Sequence, residues 1–325
     1  MCQNENFGAL SSFAQNPTLY FVEPLDLYIL GCGSANPTQR HRPACQILST
    51  RGKLYMIDCG EGSQTRFARQ GLSMKRVGHI FISHTHGDHC LGLPGLICTM
   101  SLLGRTSQLH IHAPQQLETF IRTSLQIFCP ELAFQVLFHP VDTTQHQLIH
   151  ADRSMQVWSL PLQHRVPCCG YLFREQPGQP HIRRDMIDMY EIPVSQINNI
   201  KAGMDWTLPD GTLIPNSRLT TPPSPTRSFA YCSDTIYHPD LAKWVHGVDL
   251  LFHEATFGQA DELRARQTHH STSGQAARIA LSAQAKQLCI GHYSARIKNE
   301  EQLLREAQAI FPNTLLANEG LHISI

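Results

Sequence analysis

The sequence predicts a layered α/β fold, with helices packed on the faces of β-sheets. Three observations lead there. Short apolar runs recur along the chain, each closed by a glycine-rich or polar cluster, as strands end in turns. Segments with helical spacing lie between them, so strands and helices interleave. The 325 residues, 42% hydrophobic and 16% charged, are enough to bury a large core and exclude bulk disorder.

The elements follow in chain order. LDLYIL (Leu25–Leu30) reads as a strand stopped by GCGSANP, and KLYMID (Lys53–Asp58) as a second stopped by CGEG. SQTRFARQGL, after Gly62, has helical spacing. HIFIS (His79–Ser83) is the third strand and runs into HTHGDH. QLHIHA (Gln108–Ala113) alternates like a strand, and LETFIRTSLQIF (Leu117–Phe128) is helical. Further strands are MQVWSLPLQ (Met155–Gln163), SFAYCS (Ser228–Ser233), VDLLFHE (Val248–Glu254) and KQLCIGH (Lys286–His292). Helical segments follow His270 (STSGQAARIALSAQA) and precede Pro312 (NEEQLLREAQAIF).

Residues 1–24 show little pattern and read as an N-terminal extension. Residues 25–325 read as one domain, interrupted at about 174–227. That segment contains eight of the twenty prolines and is too long for an ordinary loop, so it reads as an inserted arm. Its charges balance, six Lys/Arg against six Asp/Glu. The whole chain balances too, at 26 of each sign, which excludes histone-like bulk binding of nucleic acid but leaves room for a local basic face. No apolar run approaches the roughly 18 residues of a membrane span. The start, MCQNENFGALSSFAQNP, lacks a basic segment followed by an apolar one, so no secretory signal is expected. Eleven cysteines are scattered, without a C-x-x-C pair, which indicates a reducing cytoplasm.

The chemistry concentrates in His84-Thr85-His86-Gly87-Asp88-His89. Four metal-competent side chains fall within six residues, directly after a strand. In one continuous helix residues 84, 86 and 88 would diverge; in a turn anchored by Gly87 they converge. Neutral imidazole and carboxylate donors suit Zn²⁺, with Mn²⁺ or Fe less well matched. Supporting ligands are expected at other strand ends, where His164, Asp234 and His292 stand. Seven donors fit two metal ions with one bridging carboxylate.

The motif and its three distant partners resemble the metallo-β-lactamase superfamily. Within it, HTHGDHCLGLPGL (His84–Leu96), DCGEGSQ (Asp58–Gln64), HEATF (His253–Phe257) and His270-Ser271-Thr272 resemble the ribonuclease Z family. That resemblance runs from about Leu25 to the C-terminus. It implies a four-layer αββα sandwich with a protruding arm. It implies two Zn²⁺ per subunit, one held by His84, His86, His164 and Asp234, the other by Asp88, His89, Asp234 and His292. It also implies a support role for Asp58 behind the metal loop.

The activity implied is endonucleolytic removal of the 3′ trailer of precursor tRNA near the discriminator base. The products are a tRNA 3′-hydroxyl and a 5′-phosphorylated trailer. Asp88 is the candidate base, and Glu254 with His270 the pair that protonates the leaving oxygen; His253 and His269 read as structural. The family works as a cytoplasmic homodimer whose arm presents tRNA to the partner's site. The Gly-Pro tip usual in that arm is absent here, with Ile192-Pro193-Val194-Ser195 near its place. Candidate phosphate contacts are Arg183, Arg184 and Lys201 on the arm, with Arg40 and Arg42 near the cleft. Two other readings stand beside this one. The first is a different hydrolase on the same scaffold, a small-molecule phosphodiesterase, arylsulfatase or lactonase. The second is a catalytically silent RNA-binding subunit.

Overall fold

The computed structural model describes residues 24–325, so the N-terminal extension lies, apart from Pro24, outside the described residues. The strands are β1 (Leu25–Gly31), β2 (Cys45–Thr50), β3 (Lys53–Ile57), β4 (Val77–Phe81), β5 (Leu109–Ala113) and β6 (Val136–Pro140). Then come β7 (Leu148–Ala151), β8 (Met155–Leu162) and β9 (Cys168–Glu175). The two-residue strands β10 (His181–Ile182), β11 (Trp206–Thr207), β12 (Leu213–Ile214) and β13 (Thr220–Thr221) follow. The last are β14 (Ser228–Cys232), β15 (Leu250–Glu254), β16 (Gln287–Gly291), β17 (Thr314–Leu316) and β18 (His322–Ser324).

Two seven-stranded sheets result, ordered β18-β1-β2-β3-β4-β5-β6 and β17-β16-β15-β14-β9-β8-β7. Along β1 and β3 the side chains alternate. Leu25, Leu27, Ile29, Tyr55 and Ile57 pack toward the second sheet, where Val157, Leu160, Tyr171, Phe173 and Phe229 meet them. Ile47, Met56, Ile80 and Ile82 face the other way, onto Phe67, Leu96, Ile97 and Ile121 of the helices Ser63–Arg69, Leu93–Leu102 and Gln116–Phe128. The second sheet is backed by Ala276, Ala277 and Ala280 of the helix Ser273–Ser282 and by Leu303 and Ala307 of Glu301–Gln308. The layers therefore run helix, sheet, sheet, helix, which is the metallo-β-lactamase fold.

Both sheets contain parallel runs, β3 to β6 and β14 to β17. Parallel strands need crossover connections, so their C-terminal ends and the loops leaving them collect at one rim. The metal motif follows the C-terminal end of β4, Asp234 that of β14 and His292 that of β16.

The twelve predicted strands and helices of the core are present within a few residues. The prediction lacked β2, β6, β7, β9, β17, β18 and the helix Leu93–Leu102, so the motif follows the fourth strand, not the third. The reasons are local. CQILST in β2 carries polar residues between its apolar ones, and β17 and β18 have three residues each. CCGYLFRE in β9 is almost wholly buried and shows no alternation, because it lies in the middle of the second sheet.

Between β9 and β14 the chain forms a small unit with its own core of Ile192, Ile200, Ile214 and Leu219, packed by Trp206 and Tyr190. Two short sheets, β10-β13 and β11-β12, brace it. Its base is closed by Glu175, whose carboxylate accepts from the Arg227 backbone N at 3.0 Å and from its guanidinium at 2.7 and 2.8 Å.

Candidate metal centre

After β4 the motif loop runs extended to His86 (φ −67°, ψ 145°) and then enters a short helix, Gly87–Cys90. His84 and His86 thus belong to the extended part. Asp88 and His89 belong to a helical turn, a correction to the simple turn expected around Gly87. Two glycines let the preceding DCGEG turn lie against this helix. A Cβ at Gly60 would meet the Asp88 carbonyl oxygen at 2.3 Å, and one at Gly92 would meet the Gly60 carbonyl oxygen at 2.2 Å.

The structure brings seven of the sequence-predicted donors together in two adjoining groups. In one, His86 Nδ1 is 3.0 Å from His84 Nε2 and 3.3 Å from His164 Nε2. Asp234 Oδ2 lies 3.6 and 3.7 Å from those two Nε2 atoms. In the other, His89 Nε2 and His292 Nε2 are 3.3 Å apart, and Asp88 Oδ2 is 3.5 and 3.6 Å from them. Asp234 Oδ1 faces this second group, 3.1 Å from His292 Nε2 and 3.5 Å from His89 Nε2. Tetrahedral donors at about 2.0–2.1 Å from an ion stand about 3.4 Å from one another, which these spacings bracket. Asp234 Oδ1 is buried and has no hydrogen-bond partner. A buried carboxylate oxygen without a donor is costly unless a cation faces it, so the residues fit a metal ion.

The remote nitrogens are tied down, which turns Nε2 of four imidazoles inward. His84 Nδ1 lies 2.9 Å from Ser83 Oγ and His292 Nδ1 2.9 Å from Thr256 Oγ1. His164 Nδ1 donates to the His269 carbonyl at 2.9 Å, which gives His269, held at φ 57°, a positioning task. His89 Nδ1 donates to Asp58 Oδ2 at 2.8 Å. Asp58 is fully buried and also accepts from Ser83 N (2.8 Å), Ser83 Oγ (3.0 Å) and Tyr231 Oη (2.6 Å). It spans the space between β3, β4 and β14. Asp58→Ala is expected to lower metal affinity about 10–100-fold while the fold survives, measured by competition with a chelator.

The electrostatics point the same way. Burial works against a charge on His89, yet the carboxylates of Asp88, Asp234 and Asp58 raise it well above the ordinary imidazole range, so this pocket attracts positive charge. Burial likewise opposes ionisation of Asp234, but His292, His89 and His84 keep it far below the usual carboxylate range. His84 is driven well below the ordinary imidazole range by burial and then by His89, against the opposing pull of Asp234.

Beside the donors stands His270, whose Nδ1 donates to Glu254 Oε1 at 3.0 Å and lies 4.0 Å from Asp234 Oδ2. Glu254 is fully buried at the end of β15, not a strand-end charge in solvent. Its oxygens also accept from the backbone N of Thr235, Ser271 and Thr256 and from Thr256 Oγ1, at 2.7–3.0 Å. Burial opposes protonation of His270, but Glu254, by charge and hydrogen bond, and then Asp234, push it up to about 9. Next in the chain, Thr272 caps the helix Ser273–Ser282 in a capping box with Gln275. That cap fixes where His270 leaves the helix end. His253, also buried, donates from Nδ1 to the Glu254 carbonyl at 2.7 Å.

The donors open on a cleft of about 460 Å³ lined by Ser34, Pro37, Asp88, Leu91, Arg165 and His270 among others. The Ala35 backbone N donates to Asp88 Oδ2 at 2.6 Å. Arg165 was missed from sequence, although its position beside His164 is a usable signal. Arg42 lines an adjoining pocket with Arg66 and Arg69, which sequence reading also missed. Arg40 is committed within the chain, to the carbonyls of Ile297 and Lys298 and to Glu300. Arg183 is paired with Asp185 at 2.7 Å, Arg184 is exposed and Lys201 half-buried, all three on the inserted unit and away from the cleft lining.

This fold, with paired histidine–aspartate groups at its open rim, defines a metal-dependent hydrolase of the metallo-β-lactamase superfamily. Residues 216–293 match a model described as beta-lactamase superfamily domain, and residues 25–164 one described as anti-Pycsar protein Apyc1. Ribonuclease Z of Bacteroides fragilis is 54% identical over 94% of this chain and all of its own length. Ribonuclease Z of Bacteroides thetaiotaomicron is 54% identical over 94% of this chain and 96% of its own. The crystal structure of human tRNase Z, short form, is 25% identical, covers 93% of this chain and 99% of its own, and superposes with a TM-score of 0.67. The chain belongs to the ribonuclease Z family, the endoribonucleases of tRNA 3′ processing.

Proposed function

We propose that this chain removes the 3′ trailer of precursor tRNA by hydrolysis next to the discriminator base, with two Zn²⁺ held at the rim, as a cytoplasmic homodimer. The observation that supports it best is a two-part donor set split across the two oxygens of Asp234, with His270 beside it on a fully buried Glu254. His84, His86, His164 and Asp234 would hold one ion, and Asp88, His89, Asp234 and His292 the other. When bound, such a pair supplies an acidified water at neutral pH and positive charge against the phosphate oxygens.

The protein's own groups do the rest. Asp88, held at Oδ2 by the Ala35 N–H, orients the attacking water and accepts its proton. Attack in line on phosphorus breaks the P–O3′ bond, and the departing 3′ oxygen needs a proton. His270, kept protonated by Glu254, donates it; such help is worth roughly 10²–10⁴-fold. Arg165 faces the same cleft and supplies charge to the scissile phosphate, while Arg42, Arg66 and Arg69 flank the path of the acceptor stem.

The inserted unit holds the rest of the tRNA, across the dimer. Gly178 and Pro223 lie side by side at its base, where a Cβ on Gly178 would meet Pro223 Cβ at 3.7 Å, so residues 179–222 can be replaced by a short linker without disturbing the Glu175–Arg227 pair. The shortened chain is expected to hydrolyse bis(p-nitrophenyl) phosphate at the normal rate and to cleave precursor tRNA far more slowly. Mixing it with His86→Ala chains should restore cleavage, since a mixed dimer carries one arm facing one intact site. Equal loss on both substrates, or no recovery on mixing, rejects the arm's role.

The deciding experiment maps the ends produced from a 3′-extended precursor tRNA with and without chelator. The expected result is one cut beside the discriminator base, lost with chelator and restored by Zn²⁺. Cleavage unaffected by chelator, or hydrolysis of small esters alone, would overturn the proposal.

A further inference from the structure

A second histidine cluster lies apart from the rim, between the two sheets. In the paired register His79 of β4 stands beside His110 of β5, and Phe81 beside His112. Residues 79 and 81 are alternate positions on one strand, and Phe81 belongs to the core between the sheets. His79 and His112 therefore face the second sheet, whose edge strand β7 contributes His150. His79 is five residues before His84, about 16 Å along an extended chain.

Most positions on this face are apolar, yet five imidazoles stack here: His79, His112 and His150, flanked by His110 and His139, whose ring nitrogens lie 2.9 Å apart. A ligand nitrogen from each of His79, His112 and His150 lies within 4.8 Å of the other two. His79 Nδ1 and His112 Nε2 are 3.1 Å apart, and the rings of His79 and His150 have centroids 4.0 Å apart. His112 is 2% exposed, and its Nδ1 has no hydrogen-bond partner; neither has His150 Nε2. Buried imidazole nitrogens are normally partnered, and a ligand beside the His79–His112 pair would supply the partner that His150 Nε2 lacks. Asp152 Oδ2 stands 3.6 Å from His150 Nε2, beyond hydrogen-bond distance, and is already engaged by Lys53 at 2.7 Å and Tyr55 at 3.0 Å. Burial first, then the neighbouring imidazoles, push His79 down to about 3 and His112 to about 2. Both are neutral at physiological pH and offer lone pairs. His79 and His150 are partly exposed, which leaves an entry path.

We propose that His79, His112 and His150 form a third transition-metal site, separate from the rim, in which a divalent ion such as Zn²⁺ joins the first sheet to the edge strand of the second. Three imidazoles and a water complete four-coordination, a set that suits Zn²⁺ and disfavours Mg²⁺ or Ca²⁺. Closing the nitrogen spacing from within 4.8 Å to about 3.4 Å asks only for a small shift of His150, on an edge strand of four residues.

The test compares zinc-loaded wild-type protein with His150→Gln and His79→Phe, all dialysed against zinc-free buffer. Zinc is counted by plasma mass spectrometry, and zinc-soaked wild-type crystals are read for anomalous density at the zinc edge. The expected result is a peak between the three imidazoles, with each folded variant holding one equivalent less than wild type and cleaving precursor tRNA at the wild-type rate. His79→Phe keeps an aromatic ring in the stack, and His150→Gln alters only an edge position, so one of them remains readable if the other fails to fold. Because the count is a difference, it does not depend on how many ions the rim holds. Equal zinc counts, or no density at that position, overturns the proposal.

Discussion

His86→Ala protein is expected to fold, to lose tightly held zinc from one half of the rim and to lose precursor cleavage with it. His86 Nδ1 is the atom nearest both His84 Nε2 and His164 Nε2, at 3.0 and 3.3 Å, so removing it opens the centre of that donor group. The fold should survive, because His86 is only half-buried and has no place in either large core. The measurement pairs zinc content with cleavage of a 3′-extended precursor, and circular dichroism checks the fold. Full cleavage with a depleted rim would disconnect metal from catalysis.

His270→Ala should behave differently: zinc stays, and cleavage of precursor tRNA falls about 10²–10⁴-fold. Glu254 keeps the N–H groups of Thr235, Ser271 and Thr256 and the Thr256 hydroxyl, so the buried carboxylate is still satisfied and the site is not expected to collapse. The test that isolates proton donation uses the leaving group. A 3′ alkoxide needs a proton, whereas p-nitrophenolate leaves readily without one. The variant should therefore lose much less rate on bis(p-nitrophenyl) phosphate than on RNA. Equal losses on the two substrates would assign His270 a merely structural role.

The two variants separate two kinds of legibility. The donors of the rim were readable because the chemistry of a metal site restricts residue types so strongly. H-x-H-x-D-H after a strand has few other uses, and His164, Asp234 and His292 each follow a strand of recognisable pattern. The groups that orient them were not readable. Ser83, Thr256 and Tyr231 are common residues whose importance comes from facing Asp58, His84 or His292 across the sheets. Nor were the partners of Arg40 readable: its guanidinium is engaged by the carbonyls of Ile297 and Lys298 and by Glu300, more than 250 positions away. His79 and His112 read as ordinary strand residues and His150 as part of no element, because nothing local brings β4, β5 and β7 together.

The sequence by itself determined the alternation of strands and helices, the metal-binding chemistry and the kinship with ribonuclease Z, since these rest on short-range periodicity and on residue types with narrow uses. Only the tertiary structure decided which atom of each imidazole turns inward, how Asp234 divides its two oxygens between the donor groups, and which arginines remain free to face the cleft. Those are matters of distance between chain-remote groups, set by how two sheets pack and by which buried polar atoms must find partners, and no local pattern encodes them.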